Sequence, residues 1–203
     1  MWVVKLGGSL DGAGTMNAWV ETLAACDTPL IICPGGGNFA NAVRAAQRRW
    51  PIDDAAAHRM AILAMEQTAY LLCGLGARFN PVSYSPSVRT PQACQRVSVW
   101  FPAAELINDP EIPCTWQVTS DSLSAILARR IGAQGLALIK SAPLPEAPTH
   151  VGSLQRAGLL DAAFDEYGRH CGCPVWLLPG DDSEEFHRLM LQGEGGRRVL
   201  FDP

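Results

Sequence analysis

The chain has almost no lysine: Lys5 and Lys140 stand against 14 arginines in 203 residues. It has no run of basic residues, and a net charge of −4 offers no footprint for nucleic acid or for an anionic membrane surface. Long apolar segments are missing too. The most apolar stretch, residues 55–75, carries His58, Arg59, Glu66 and Gln67, which are costly at bilayer depth, so no membrane span is expected. The seven cysteines are odd in number and scattered, and the chain opens on a strand-like run without a signal-peptide pattern, so a cytoplasmic location is expected. Cys171 and Cys173 form a C-x-C pair, but no second pair at zinc spacing accompanies it, and no metal site is expected. At 48% hydrophobic and 18% charged residues the composition excludes disorder, collagen and coiled coil. A chain this long buries roughly 70% of its unfolded surface, so packing alone can hold it. Small molecules are the expected partners.

Short β-branched runs alternate with helical spacings. Residues 1–6 (MWVVKL) and 29–33 (PLIIC) read as buried parallel strands, each ended by glycines, and residues 16–26 between them place Trp19, Val20, Leu23 and Ala24 at helical spacing. Helices are predicted over 38–50, stopped by Pro51, and over 55–73, capped by Asp53 or Asp54. Further strands are predicted at 96–101, 136–139, 174–178 and 198–201, with helices at 121–131, 161–170 and 183–192. The proline-rich residues 142–150 read as a loop separating two lobes. The fold class expected is α/β: a three-layer αβα sandwich on a mainly parallel sheet.

In such a sheet, ligands collect at the carboxyl ends of the strands. There the first strand ends Lys5-Leu6-Gly7-Gly8-Ser9 and the second Pro34-Gly35-Gly36-Gly37-Asn38, each leading into a helix whose free N–H groups favour an anion. Neither turn matches the G-x-G-x-x-G or Walker A patterns, which argues against a dinucleotide-dependent oxidoreductase. Both lysines sit at or near the end of a predicted buried strand. A compact ammonium on a flexible stem suits a phosphoryl group whose charge moves between oxygens. Asp121, in Thr119-Ser120-Asp121-Ser122, is either a plain helix-start residue or the carboxylate that holds both ammoniums in place. Phosphoryl transfer asks chiefly for positioning and charge neutralisation, which this set supplies without a nucleophile of the protein's own.

KLGGS at 5–9, PGGGNFA at 34–40 and TSDSLSA at 119–125, in that order, resemble the amino acid kinase family. The resemblance covers most of the chain. It implies a single domain over 1–203, with an acceptor lobe at 1–117 and a nucleotide lobe at 118–203, that uses ATP and Mg²⁺ to phosphorylate a small phosphate- or carboxylate-bearing acceptor. It implies catalytic roles for Lys5, Asp121 and Lys140, and phosphate or acceptor contacts from Gly7, Gly8, Ser9, Gly35, Gly36, Gly37 and Asn38. Nucleotide contacts fall to Ser120, Lys140, Ser141 and Gly180. Within the family, residues 56–67 (AAHRMAILAMEQ) and the small size are most similar to a member whose acceptor already carries a phosphate, which brings His58 and Arg59 toward the acceptor. The family's habits and the apolar residues 60–72 imply a homodimer. One departure stands out: where relatives carry T-D-V-D-G, this chain reads Lys140-Ser141-Ala142-Pro143-Leu144. The alternative function is a non-catalytic nucleotide, metabolite or oxyanion binder on the same fold.

Overall fold

Strand parity organises the molecule. In β1 (Trp2–Leu6), Val3 faces one core while Val4 and Leu6 face another, because successive side chains of a strand point to opposite sides. The same division runs through β2 (Leu30–Pro34) and β5 (Gly135–Lys140), where Ile31, Cys33, Leu136 and Leu138 join Val3, and Leu30, Ile32, Ala137 and Ile139 join Val4. The computed structural model describes residues 1–8, 10, 13–76, 78–83 and 97–202. Ser9 and the first residue of the predicted strand at 96–101 lie outside them.

The remaining strands are β3 (Asn80–Val82), β4 (Val97–Trp100), β6 (Thr149–His150), β7 (Val175–Pro179) and β8 (Arg197–Leu200). Among the described residues, β1 to β8 form one eight-stranded sheet in the order β3-β4-β2-β1-β5-β7-β8-β6, with every pair parallel except β7–β8. The expected sandwich is present. On the Val3 face lie α4 (Ala103–Leu106), α5 (Ser120–Ile131), α6 (Val151–Arg156) and α7 (Phe164–Arg169); on the Val4 face lie α1 (Ala13–Ala25) and α8 (Ser183–Gln192). The long α3 (Asp54–Leu75) lends Ile62 and Met65 to the first core and Ala69 and Leu72 to the second, and α2 (Gly37–Arg49) packs on it through Val43.

Two expectations change. The proline-rich segment is not loop to its end: Thr149 and His150 pair with Val199 and Leu200 at the sheet edge. The helix expected from residue 161 begins at Phe164, because the Asp161 side chain serves the start of α5 instead. Short β3, with Pro81 inside it, has no visible period, and an edge strand tolerates the missing N–H.

From β1 the chain moves to β2 on one side and later returns to place β5 on the other. This is a topological switch point, where a crevice opens at the carboxyl ends of the strands.

Candidate active site

Lys5 lies two residues after Val3, and Lys140 two after Leu138, so parity sends both side chains to the same face of neighbouring strands. α5 crosses that face. Its first turn carries Asp121 between the two ammoniums, with Lys5 Nζ 3.0 Å from Oδ1 and Lys140 Nζ 2.6 Å from Oδ2. All three side chains are buried. Lys140 donates a hydrogen bond to Oδ2, whereas Lys5 faces Oδ1 at an angle that makes an ion pair only, leaving Oδ1 without a hydrogen-bond partner among the described residues.

The electrostatics follow from burial and charge count. Burial by itself would raise the Asp121 carboxyl, but Lys5 and Lys140 outweigh it and hold the group down at about 2, so it stays an anion. Such a carboxylate cannot serve as a general base near neutrality. Lys140 is pushed down to about 8, first by burial and then by Lys5, while Asp121 opposes the change. Two ammoniums share one directly facing carboxylate, an arrangement suited to a further anion.

Two clefts meet at this crevice. The first, about 480 Å³, is lined by Gly8, Gly36, Gly37 and Asn38 from the glycine turns, Arg44 from α2, Asp54 and His58 from α3, and an apolar wall of Ile62, Met65, Val118 and Leu123. The second, about 580 Å³, contains Lys5, Asp121, Lys140, Ser141, Asp161 and the apolar Ala142, Leu159 and Leu160. They share Asp54, Thr115, Trp116 and Thr119. Trp116 is fixed between the helices: its indole N–H donates to Gln47 Oε1 at 2.6 Å, Gln47 Nε2 donates to Asp54 at 2.7 Å, and the Arg44 guanidinium lies 3.7 Å over the ring. Burial, with Arg59 second, lowers the pKa of His58, which favours its neutral form.

The glycine turns touch each other as well as the cleft. A Cβ on Gly8 would fall 2.1 Å from the Gly37 Cα, and one on Gly35 would fall 2.7 Å from the Gly8 nitrogen. The Gly35 N–H donates to the Leu6 carbonyl at 2.8 Å, and Gly37 has a φ of +52°, a left-handed conformation that favours glycine.

Of the sequence-predicted residues, Lys5, Asp121, Lys140 and Ser141 come together in the second cleft, and Gly8, Gly36, Gly37, Asn38 and His58 in the first. Ser120 lines the first cleft, not the second. Gly7 and Gly35 are buried behind the turns. Arg59 is exposed on α3 and lines neither cleft. Gly180 bonds inward, its N–H donating to the Lys140 carbonyl at 2.7 Å and its carbonyl accepting from the Trp19 indole at 2.7 Å. Sequence reasoning missed Gln47, Trp116 and Asp161. Gln47 and Trp116 lie 69 positions apart, and Asp161 lies 39 from Ser122 and 42 from Thr119, and no spacing announces these pairs.

Among the described residues no group of three or more His, Cys, Asp or Glu side chains could hold a metal. Both Asp121 oxygens face lysines and both Asp161 oxygens accept hydrogen bonds, so neither carboxylate suits a resident Mg²⁺. No helix among the described residues is long and apolar enough to cross a membrane.

Residues 1–143 match the family model described as the amino acid kinase family. The chain is similar to the [5-(aminomethyl)furan-3-yl]methyl phosphate kinase of Methanocaldococcus jannaschii, with 26% identity over 131 residues, or 64% of this chain. That match spans 60% of the archaeal kinase's own length. Among solved structures, the uridylate kinase of Archaeoglobus fulgidus superposes with a TM-score of 0.72 at 17% identity, covering 98% of this chain and 99% of that one. The UMP kinase of Bacillus anthracis gives 0.70 at 18% identity, covering 100% and 96%. At these identities the structures show a shared fold.

Proposed function

Because the chain belongs to the amino acid kinase family, we propose that it is an ATP-dependent small-molecule kinase whose acceptor already carries a phosphate, so that the product is a diphosphate. The observation that carries this reading is the carboxylate of Asp121 held between the only two lysines of the chain. We further propose [5-(aminomethyl)furan-3-yl]methyl phosphate as the acceptor, since it is what the archaeal relative's name specifies and the first cleft suits its parts. Ile62, Met65, Val118 and Leu123 give a flat ring an apolar wall. The start of α2 and the Arg44 guanidinium suit the phosphate, and the Asp54 carboxylate suits the ammonium.

In this reading ATP supplies the phosphoryl group, and its Mg²⁺ travels with the nucleotide phosphates as part of the substrate. Lys5 and Lys140 neutralise the charge spread over the equatorial oxygens, and Asp121 fixes where the ammoniums stand. The acceptor's phosphate oxygen is already an anion and needs no base. Residues 1–117 would form the acceptor lobe and 118–203 the nucleotide lobe, with Ser141, Ala142, Leu159 and Leu160 beside the nucleotide.

The test is ³¹P NMR of the protein with Mg-ATP and the aminomethylfuran phosphate, which should show a diphosphate and ADP. Arg44→Ala should raise the acceptor KM about tenfold, the scale of one lost charge-assisted contact, with kcat within about threefold. Nucleotide binding without turnover of any phosphate-bearing acceptor would instead establish the binding-protein alternative.

We also propose a homodimer packed on α3, where Met60, Leu63, Leu71 and Leu75 are 38–45% exposed. Sedimentation equilibrium should give twice the chain mass of 21.8 kDa, and Leu63→Glu with Leu71→Glu should return it to monomer. A wild-type monomer at micromolar concentration refutes this assembly.

A further inference from the structure

Asp161 lines the second cleft, yet the transfer described above gives it no task. Its carboxylate does not point at the lysines' ammoniums within ion-pair distance. It grips the beginning of α5. Oδ2 accepts from the Thr119 N–H at 2.9 Å, the Thr119 hydroxyl at 2.8 Å and the Ser122 N–H at 3.0 Å, and Oδ1 accepts from the Ser122 hydroxyl at 2.5 Å. Thr119 and Ser122 flank the two residues that include Asp121, so the grip closes on both sides of the catalytic turn.

The loop that carries Asp161 is itself fixed. The Gln155 amide donates to the Asp161 carbonyl at 3.0 Å and to the Ala162 carbonyl at 2.8 Å, and the Ala163 N–H donates to the Gln117 carbonyl at 3.2 Å. A helix start needs acceptors for its free N–H groups, and the side chain of Thr119 already meets the Asp121 N–H, at 3.4 Å. A remote aspartate supplying four more bonds exceeds what capping alone requires. Its negative charge also lies close enough to Lys140 to favour the ammonium there.

We propose that Asp161 is a positioning residue of the phosphoryl-transfer site: it clamps the first turn of α5 so that Asp121 stays between the lysines. The inference rests on the kinase reading of the site. The charged groups facing Lys140 are Asp121 from α5, Lys5 from β1 and Asp161 from the loop after α6. Removing Asp161's charge therefore leaves one carboxylate against two ammoniums.

Two variants separate clamp from charge. Asp161→Asn is isosteric: its carbonyl oxygen can take the three Oδ2 donors, and its amide can face a Ser122 hydroxyl turned to accept. It keeps the clamp and loses the charge. Asp161→Ala loses both. Because the chain has two lysines, ¹³C-lysine labelling gives two side-chain signals whose titration can be followed without turnover.

In Asp161→Asn the Lys140 signal should titrate lower than in the wild type, because a nearby negative charge is gone. Where kcat/KM falls on the alkaline side, that fall should move down with it, while kcat at pH 6.5 stays within about threefold. Asp161→Ala should lower kcat at least tenfold with both KM values within about threefold, the signature of misplaced groups. If the alanine variant does not fold, Asp161→Asn decides: with the clamp kept, its kcat at pH 6.5 stays within about threefold of the wild type. A tenfold loss of kcat at pH 6.5 in the asparagine variant, or wild-type kcat in a folded alanine variant, overturns the proposal. A wild type that turns over no acceptor refutes the kinase reading, and the clamp is then read at pH 6.5 from the two lysine signals, which should keep their wild-type positions in the asparagine variant and move in the alanine one.

Discussion

Asp121→Asn should lower kcat about 10³-fold and destabilise the fold by about 3–5 kcal/mol at pH 7, the cost of leaving a buried charge without its partner. The amide can offer one oxygen to one lysine but must present its NH₂ group to the other. Lys5 and Lys140 are each 8% exposed, so water cannot replace the lost anion. The pair then relaxes in the one way open to it. Lys140 sits at about 8 with Asp121 present, and losing that support lowers it further, so its proton leaves near neutrality. A neutral amine neither attracts a phosphate nor follows its charge.

The pH dependence has a definite sign. The stability lost in the variant should be largest near pH 7, where the wild type pairs both ammoniums with a carboxylate. It should shrink by pH 10, where Lys140 is neutral in either protein. In the wild type the depressed Asp121 carboxyl contributes stability that is full above about pH 4 and fades as pH falls toward about 2. Calorimetric unfolding at pH 7 and pH 10 with single-turnover kinetics reads all of this. A variant within tenfold of wild-type kcat would remove Asp121 from the organising role.

Much of this site is local and therefore visible in the sequence. Lys5 and Lys140 end apolar runs, and the alternation that sends Val3 and Leu138 to one core sends both lysines there as well. Asp121 stands three residues inside a motif that also starts a helix. What escapes is whatever one part of the chain does for another. Asp161 looks like the first residue of its own helix, because an acidic residue before an apolar run is a normal start signal. In the fold it serves α5 instead, 39 residues earlier. Trp116 likewise reads as an isolated aromatic until Gln47 and Arg44 arrive from α2.

The glycines carry the same lesson, and they separate two physical accounts of one motif. If Gly8 is needed only so that a phosphate can approach the backbone, Gly8→Ala should weaken ligand binding and leave the unfolding temperature alone. The fold argues for more. The new Cβ would meet the Gly37 Cα at 2.1 Å and its nitrogen at 2.2 Å, backbone atoms that no rotamer change can move aside. The turns after β1 and β2 would have to part by more than an ångström. That strains the bond from Gly35 to Leu6 and carries away the start of α2, which is the floor of the first cleft. Gly8→Ala should therefore cost about 3 kcal/mol or more and abolish acceptor binding together. Gly74→Ala is the control: that helical glycine has nothing within 4 Å of its Cβ position, and the exchange should stabilise by about 0.5–1 kcal/mol. Thermal unfolding of the three proteins, with and without Mg-ATP, discriminates. A Gly8→Ala protein that melts with the wild type would show that the turns yield, and that these glycines are there for the ligand alone.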